Sequence, residues 1–386
     1  MGAGRGRGYP NELSRRTFLA SLLASTIGAT EATVLASFLL AGSPAVLASL
    51  ASQRKRLAVY DVTRHPYRAA GDGIANDAPA IQAAIDDAAA AGGGIVYLPP
   101  GTYRLASIHE QSGIRFYVLN YFSGISLIGA GRHLTTLRAC AGLPDQTRII
   151  SADSTDGTSR VSYAAFQDFT LDGRPGQQTQ ARSCVGISNV FTDHVDHLRV
   201  RIEGVKGMAD AEGACFDSYA SSNHTYRDCE VVQPRGLPTG SGFSATHSNQ
   251  VSYQDCRSAG SAYWQGFTTY LSKQIEYERC HGYLNGQRGL NCEVSEGVRY
   301  RNCRAGGKTQ GNRGDGMYVF HSDDVEVQDC VSVGNRRGIV NDGSRLRVVR
   351  GQFVDNRGGG IAFKSDADRE NTSVEDIDPA VTAARR

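Results

Sequence analysis

The chain lacks an excess of either charge, a late apolar run, and any helical periodicity through most of its second half. Lys and Arg number 41 against 39 Asp and Glu, a net charge of +2. Its basic residues are scattered, whereas a nucleic-acid binder needs them gathered in a stripe; no nucleic-acid partner is expected. Beyond residue 51 no segment reaches the ~20 apolar residues of a membrane span. No Cys/His spacing fits a zinc site. The nine cysteines are an odd number, which excludes complete pairing within the chain.

What is present begins with an address. Ser14-Arg15-Arg16-Thr17-Phe18-Leu19-Ala20 resembles the twin-arginine export signal. An Ala/Leu/Ser stretch follows to about Ala51, broken by Glu31 and ending in small residues suited to cleavage after Ala48 or Ala51. Residues 1–51 are therefore expected to be an export signal, with a retained N-terminal anchor as the alternative. Removal of the signal would leave a protein that is secreted, periplasmic or at the cell surface, without a stable span.

From residue 213 one phrase recurs. Its apolar anchors are Phe216, Phe243, Phe267, Leu290, Met317, Ile339 and Ile361, at steps of 27, 24, 23, 27, 22 and 22 residues. Ser221, Ser248, Ser272, Ser295, Ser322 and Ser344 each stand five places after an anchor. Next come Tyr226-Arg-Asp-Cys229, Tyr253-Gln-Asp-Cys256, Tyr277-Glu-Arg-Cys280, Tyr300-Arg-Asn-Cys303 and Val327-Gln-Asp-Cys330. Gly186-Ile187 starts an earlier turn of the same kind. A unit of 22 to 29 residues with short alternating segments is too small to bury its own apolar face; stacked units close that core. The spacing lacks the Leu-x-Leu and Asn pattern of leucine-rich repeats. The expected fold is all-β, a right-handed parallel β-helix, over residues 52–366, followed by a polar C-terminal tail at 367–386 with no convincing cap. The cysteine file occupies one inward position in five consecutive coils, a site for small hydrophobes. Free thiols are expected there, with a disulfide between adjacent coils as the alternative.

Ahead of the coils, Asn76 or Asp77 is placed to cap a helix whose first turn tolerates Pro79. Ile81, Ala84, Ile85, Ala88 and Ala89 give it one apolar face. Gly92-Gly93-Gly94 ends it, and Ile95-Val96-Tyr97-Leu98 is the first buried strand. Such a helix would cover the open end of the stack. The series Gly71-Asp72-Gly73-Ile74-Ala75-Asn76-Asp77-Ala78-Pro79 and Gly92-Gly93-Gly94-Ile95-Val96-Tyr97-Leu98-Pro99-Pro100-Gly101-Thr102-Tyr103 resembles the opening of the pectate-lyase-like proteins. That superfamily of right-handed parallel β-helices is related to polygalacturonases, mannuronan epimerases and phage tailspikes. With the coils, the resemblance covers nearly all of residues 58–366. It implies a protein acting on a carbohydrate polymer.

Alternate residues of a strand point outward, so the positions one and three after each anchor line an outer face. The first file is Asp217, Ser244, Thr268, Asn291, Tyr318 and Val340; the second is Tyr219, Thr246, Tyr270, Glu293, Phe320, Asp342 and Lys364. Gln265, Arg288, Asp315 and Arg337 stand two before their anchors. Insertions at 232–241 and 304–315 would wall this face and bring Arg235, Lys308 and Arg313 near it. Asp217, Tyr219, Tyr270, Glu293, Asp315 and Asp342 are the candidate catalytic groups. Arg288, Asn291, Tyr318, Arg337 and Lys364 are the candidate substrate ligands. His247 and His321, four places after their anchors, are expected to point inward, as is His224, whose slot elsewhere holds Val251, Ile275, Val298 and Val325.

Two mechanisms fit these residues. In one, a base abstracts the proton beside a uronate carboxylate, Arg or Lys neutralises the developing charge, and a Tyr donates a proton, making a lyase or C5-epimerase. Asp217-Ser218-Tyr219-Ala220 sits where the epimerases of the superfamily carry Asp-Pro-His-Glu; the Asp matches, while the His is replaced by Tyr219 and the Asp of the next coil by Thr246. In the other, Glu293 and Asp342, two coils or ~9.6 Å apart, hydrolyse a glycosidic bond with inversion. The polygalacturonase motifs are absent. A noncatalytic glycan-binding protein is the third reading. None requires a cofactor. Asp323-Asp324 at a turn is a candidate calcium pair, a solvated turn being the alternative. The partner is a polysaccharide or oligosaccharide, and a homo-oligomer would cover the terminal coil.

Overall fold

In a computed structural model the apolar anchors turn inward and their neighbours outward, as strand alternation requires. The structure describes residues 58–111, 115–152, 160–307, 309 and 311–377. The twin-arginine signature, its cleavage sites and Lys308 lie outside the described residues. The described strands form three parallel sheets, with strands from successive coils as neighbours. The anchor sheet has 11 strands, including Ala214–Tyr219, Ser241–Thr246, Phe267–Tyr270, Leu290–Glu293, Met317–Phe320 and Ile339–Asp342. The tyrosine sheet has 12, including Ser222–Arg227 and Asn249–Gln254. A third sheet of 10 short strands follows the cysteines. The only antiparallel ladder among them joins His109–Gln111 to Arg115–Tyr121. This is the right-handed parallel β-helix expected from the repeat, and among the described residues no helix is long and apolar enough to cross a membrane.

The register is the one the repeat implies. Phe216 pairs with Phe243, Phe243 with Phe267, and Phe267 with Leu290. The rings of Phe216, Phe243 and Phe267 stack at 4.8 Å, as do Tyr226, Tyr253 and Tyr277 on the next sheet. That spacing is the strand separation of a sheet, so each ring buries both faces against its copies. All nine cysteines are buried and free. Cys256, Cys280, Cys303 and Cys330 each lie within 3.2–3.5 Å of a backbone carbonyl, the weak hydrogen bond a buried thiol makes.

Corners are built by polar ladders. Each repeat serine receives a backbone N–H from the coil before it, as Ser248 N–H does to Ser272 Oγ at 3.0 Å. A second ladder, whose residues had not been singled out in the sequence, runs through Asn285, Asn312, Asn335 and Asn356; each side-chain oxygen accepts the backbone N–H of the preceding member at 2.8–3.0 Å. The stack thereby satisfies backbone groups that turns would otherwise bury unpaired.

Helix α1, Ala78–Ala90, covers the N-terminal end, burying Ala78, Ile81, Ala84, Ile85 and Ala88. Asp77 stands at its N-cap, but its carboxylate instead accepts the N–H groups of Ala70 and Gly71, and Asn76 Oδ1 accepts from Ala78. The tail boundary at 366 is corrected. A short helix, Asp366–Glu370, capped by Ser365, leads into Thr372–Glu375, which pairs in the tyrosine sheet with Leu346–Val349. Val374 packs against the core, which is why the solenoid runs past its last recognisable anchor.

Candidate active site

The anchor sheet carries its outward files as the spacing requires. Asp217 pairs in register with Ser188 and Ser244, and the file continues through Thr268, Asn291, Tyr318 and Val340. Beside it run Tyr219, Thr246, Tyr270, Glu293, Phe320 and Asp342. Lys364 follows directly after the last strand of this sheet, Ile361–Phe363, donating its backbone N–H to Asn341.

Two expectations fail in the same way. His247 and His321 are exposed, not inward. Both adopt the left-handed conformation, at φ 52° and 42°, as do Ala220, Leu271 and Val294 at the same point of other coils. One left-handed residue at the sheet corner rotates the side chain out of the strand alternation, so counting by twos breaks there. His224 is fully buried, as expected.

The correction assembles a group. The His247 ring lies 5.3 Å from that of Tyr219 and 6.2 Å from that of Tyr270. Both tyrosines are exposed, at 39% and 38%. Half-buried Asp217 precedes Tyr219 by two residues on the same strand face. Burial pushes its carboxyl up to about 6, helped by Glu212 and opposed by Arg148. Glu212 stands in the 203–213 connection just before the strand and binds the hydroxyl of Ser241. Lost hydration around its carboxyl and the charge of Glu293 raise its pKa, against the pull of Ser241. The connection is pinned where Trp264 Nε1–H donates to the Met208 carbonyl at 2.8 Å. Arg148 stands two before Ile150, in the file of Gln265, Arg288, Asp315 and Arg337, but in a coil ahead of the recognisable repeat. Glu212 belongs to no recurring position, and the one hint of it is the long step between Ile187 and Phe216.

Further along the groove the candidates are brought together in closed pairs. Arg288 donates to Asn291 Oδ1 and Glu293 Oε1, both at 2.7 Å, and its guanidinium lies 3.6 Å above the Tyr318 ring. Tyr318 donates to Asp342 Oδ2 at 2.6 Å; burial and then Asp342 push its hydroxyl up to about 12. Asp315 is 1% exposed on its side chain and gripped by Arg336 and Arg337 at 2.7–3.1 Å. Burial works to raise its pKa, but the two guanidinium groups prevail and hold it below the ordinary carboxylate range. Arg313 gives its backbone N–H to Asn285, and Arg235 is exposed at the tip of its loop. Asp323 and Asp324, the candidate calcium pair, form ion pairs with Arg345 and Arg299. Among the described residues no three His, Cys, Asp or Glu side chains are grouped to hold a metal.

The anchor sheet of this parallel β-solenoid thus presents an aromatic and ionisable outer face. A family model described as rhamnogalacturonase A/epimerase, pectate lyase-like, matches residues 65–282, more than half of the chain, which therefore belongs to that family. Mannuronan C5-epimerase AlgE5 of Azotobacter vinelandii is 31% identical over 274 residues, 68% of this chain and 26% of the relative. Alginate lyase 7 of the same organism is 31% identical over 204 residues, 50% of this chain and 22% of that protein. The chain thus spans about a quarter of the length of these relatives. The A-module of mannuronan C5-epimerase AlgE4 shares the fold, with a TM-score of 0.62, 21% identity, and coverage of 83% of this chain and 95% of the module.

Proposed function

We propose that the protein acts on an acidic polysaccharide by removing the proton beside a uronate carboxylate, as a C5-epimerase or a lyase. The observation that carries this reading is the convergence of Asp217, with its raised pKa, and the Tyr219–His247–Tyr270 group on one stretch of groove. The names of the relatives, epimerases and an alginate lyase, agree with it.

In this reading Arg148 and Asp217 face the substrate carboxylate, the raised pKa of Asp217 letting it take up a proton as the anionic substrate binds. The developing enolate-like charge is met by preorganised donors. His247 takes the C5 proton, breaking the C–H bond. Tyr219 then supplies a proton to the opposite face of that carbon, giving the epimer, or to the departing glycosidic oxygen as its bond to C4 breaks, giving an unsaturated end. The chemistry uses no cofactor. Export through the twin-arginine route completes the proposal, on the strength of Ser14–Ala20. Hydrolysis by Glu293 and Asp342 is less well supported, since Arg288 and Tyr318 already engage those carboxylates.

Incubation with polymannuronate, polygalacturonate and neutral glucans in D2O tests the proposal. NMR should show deuterium entering C5 of a polyuronate if the proton is returned to that carbon, or absorbance near ~235 nm should rise if elimination follows instead. New reducing ends with neither deuterium at C5 nor absorbance near ~235 nm would overturn it in favour of a hydrolase.

A further inference from the structure

Behind the outward residues Asp217 and Tyr219 the core of the solenoid changes character. The inward residue between them, Ser218, is fully buried, with its Oγ 2.7 Å from the Tyr226 hydroxyl and 2.9 Å from His224 Nδ1. His224 Nε2 lies 2.9 Å from Thr192 Oγ1, which lies 3.1 Å from Ser221 Oγ. Ser221 Oγ in turn lies 2.9 Å from the carbonyl of Tyr219. On the other side Asn189 donates to Tyr226 and accepts from Tyr121, at 3.1 and 2.6 Å. Hydrogen bonds thus run across the core and return to the backbone of the strand that bears the reaction groups.

The next coil shows that the fold does not need this arrangement. There Ala245 replaces Ser218 and Val251 replaces His224 at paired positions, and the Tyr253 hydroxyl has no hydrogen-bond partner. Packing still continues, with Tyr226 stacked on Tyr253 at 4.8 Å. Replacing both partners of a buried hydrogen bond by apolar groups is often nearly neutral or stabilising. Thr269 and Tyr277 repeat the hydroxyl pair two coils on. What sets this coil apart is the histidine that links that pair to Thr192 and the corner serine, which points to a local purpose. Such networks rigidify what they touch.

We propose that Ser218 and His224 are positioning residues that lock the strand and corner beneath Asp217 and Tyr219, holding those two side chains in register with His247. The inference rests on the reading of Asp217, Tyr219 and His247 as reaction groups. It assigns the network no contact with substrate.

The test places the next coil's pair into this one, as S218A/H224V. The variant should fold and melt no earlier than wild type, yet lose at least tenfold in kcat with KM changed less than twofold. The Asp217 carboxyl, followed by ¹³C NMR, should fall from about 6 toward the ordinary range as its strand loosens and water enters. S218T, which keeps the hydroxyl, should retain both properties. T269A, which removes the partner of Tyr277 two coils away, should leave Asp217 unmoved. Should S218A/H224V fail to fold, S218A alone serves, with the same expectations at smaller size. Unchanged kcat together with an unchanged Asp217 titration overturns the proposal. Wild type inactive on every polyuronate overturns the proposed function instead, and the titration still decides whether the network positions Asp217.

Discussion

The two halves of the groove use similar residues to opposite ends. In the later coils each carboxylate has a committed partner: Glu293 has Arg288, Asp342 has Tyr318, and Asp315 has two arginines. In the earlier coils Asp217 is raised to about 6, and a histidine stands between two exposed tyrosines. A paired carboxylate is stable and chemically quiet, whereas a desolvated one near neutrality is poised for proton chemistry. The raw count of acids and bases along the groove therefore says little about where a reaction would run; their pairing says more.

The largest effect that would break this contrast is on activity. H247A, Y219F and D217A are each expected to lower turnover on a polyuronate by roughly 10²–10⁴-fold, with melting temperatures near wild type. E293Q should cost under tenfold, measured by the same NMR assay. Equal losses from both halves would erase the distinction.

Stability against pH comes next. His224 titrates near 3 in the folded chain, held there by burial, against an ordinary 6.5. The unfolded chain therefore binds its proton first, and the stabilisation is present above about 6.5 and lost as pH falls toward 3. The loss is about 5 kcal/mol. Asp217 behaves oppositely. Its folded value is raised from 3.8 to about 6, so its contribution is present below 3.8 and lost as pH rises through 6, by about 3 kcal/mol. Because the two windows overlap and oppose each other, thermal melts from pH 3 to 8 should show D217N losing stability more steeply toward acid than wild type and H224V less steeply.

Asp315→Asn should destabilise by about 2 kcal/mol at neutral pH, because Arg337 and the half-exposed Arg336 lose the buried charge they share; denaturant midpoints measure it, and turnover per folded molecule should hold. The smallest expected change is favourable. Tyr253→Phe removes a buried hydroxyl with no hydrogen-bond partner and should raise stability by about 0.5–1 kcal/mol, whereas Tyr226→Phe should lower it. Melts of the two variants sharpen the comparison between adjacent coils.

Most of the fold was legible because a solenoid repeats. Phe216, Phe243 and Phe267, the serine file and the Tyr-x-x-Cys phrase each occupy one position around the coil, and period-two alternation correctly separates Asp217 and Tyr219 from the anchors. The asparagine ladder escaped notice because its regular place, five residues after Cys280 and Cys330, is shifted by the insertion before Asn312 and has no cysteine to mark it in the coil of Asn356. His247 was misplaced because alternation ends at a left-handed corner residue, Glu212 belongs to no recurring phrase, and Arg148 shares the file of Arg288 and Arg337 only through coils whose sequence lacks the phrase.

The sequence by itself determined the coil, its register and the side chains sharing each straight face, since strand geometry is local and the same bonds recur every turn. Tertiary structure alone decided which ionisable groups are paired, which are desolvated, and that His247 joins two tyrosines from adjacent coils. Those properties depend on distances and water exclusion among residues far apart in the chain, which no local period encodes.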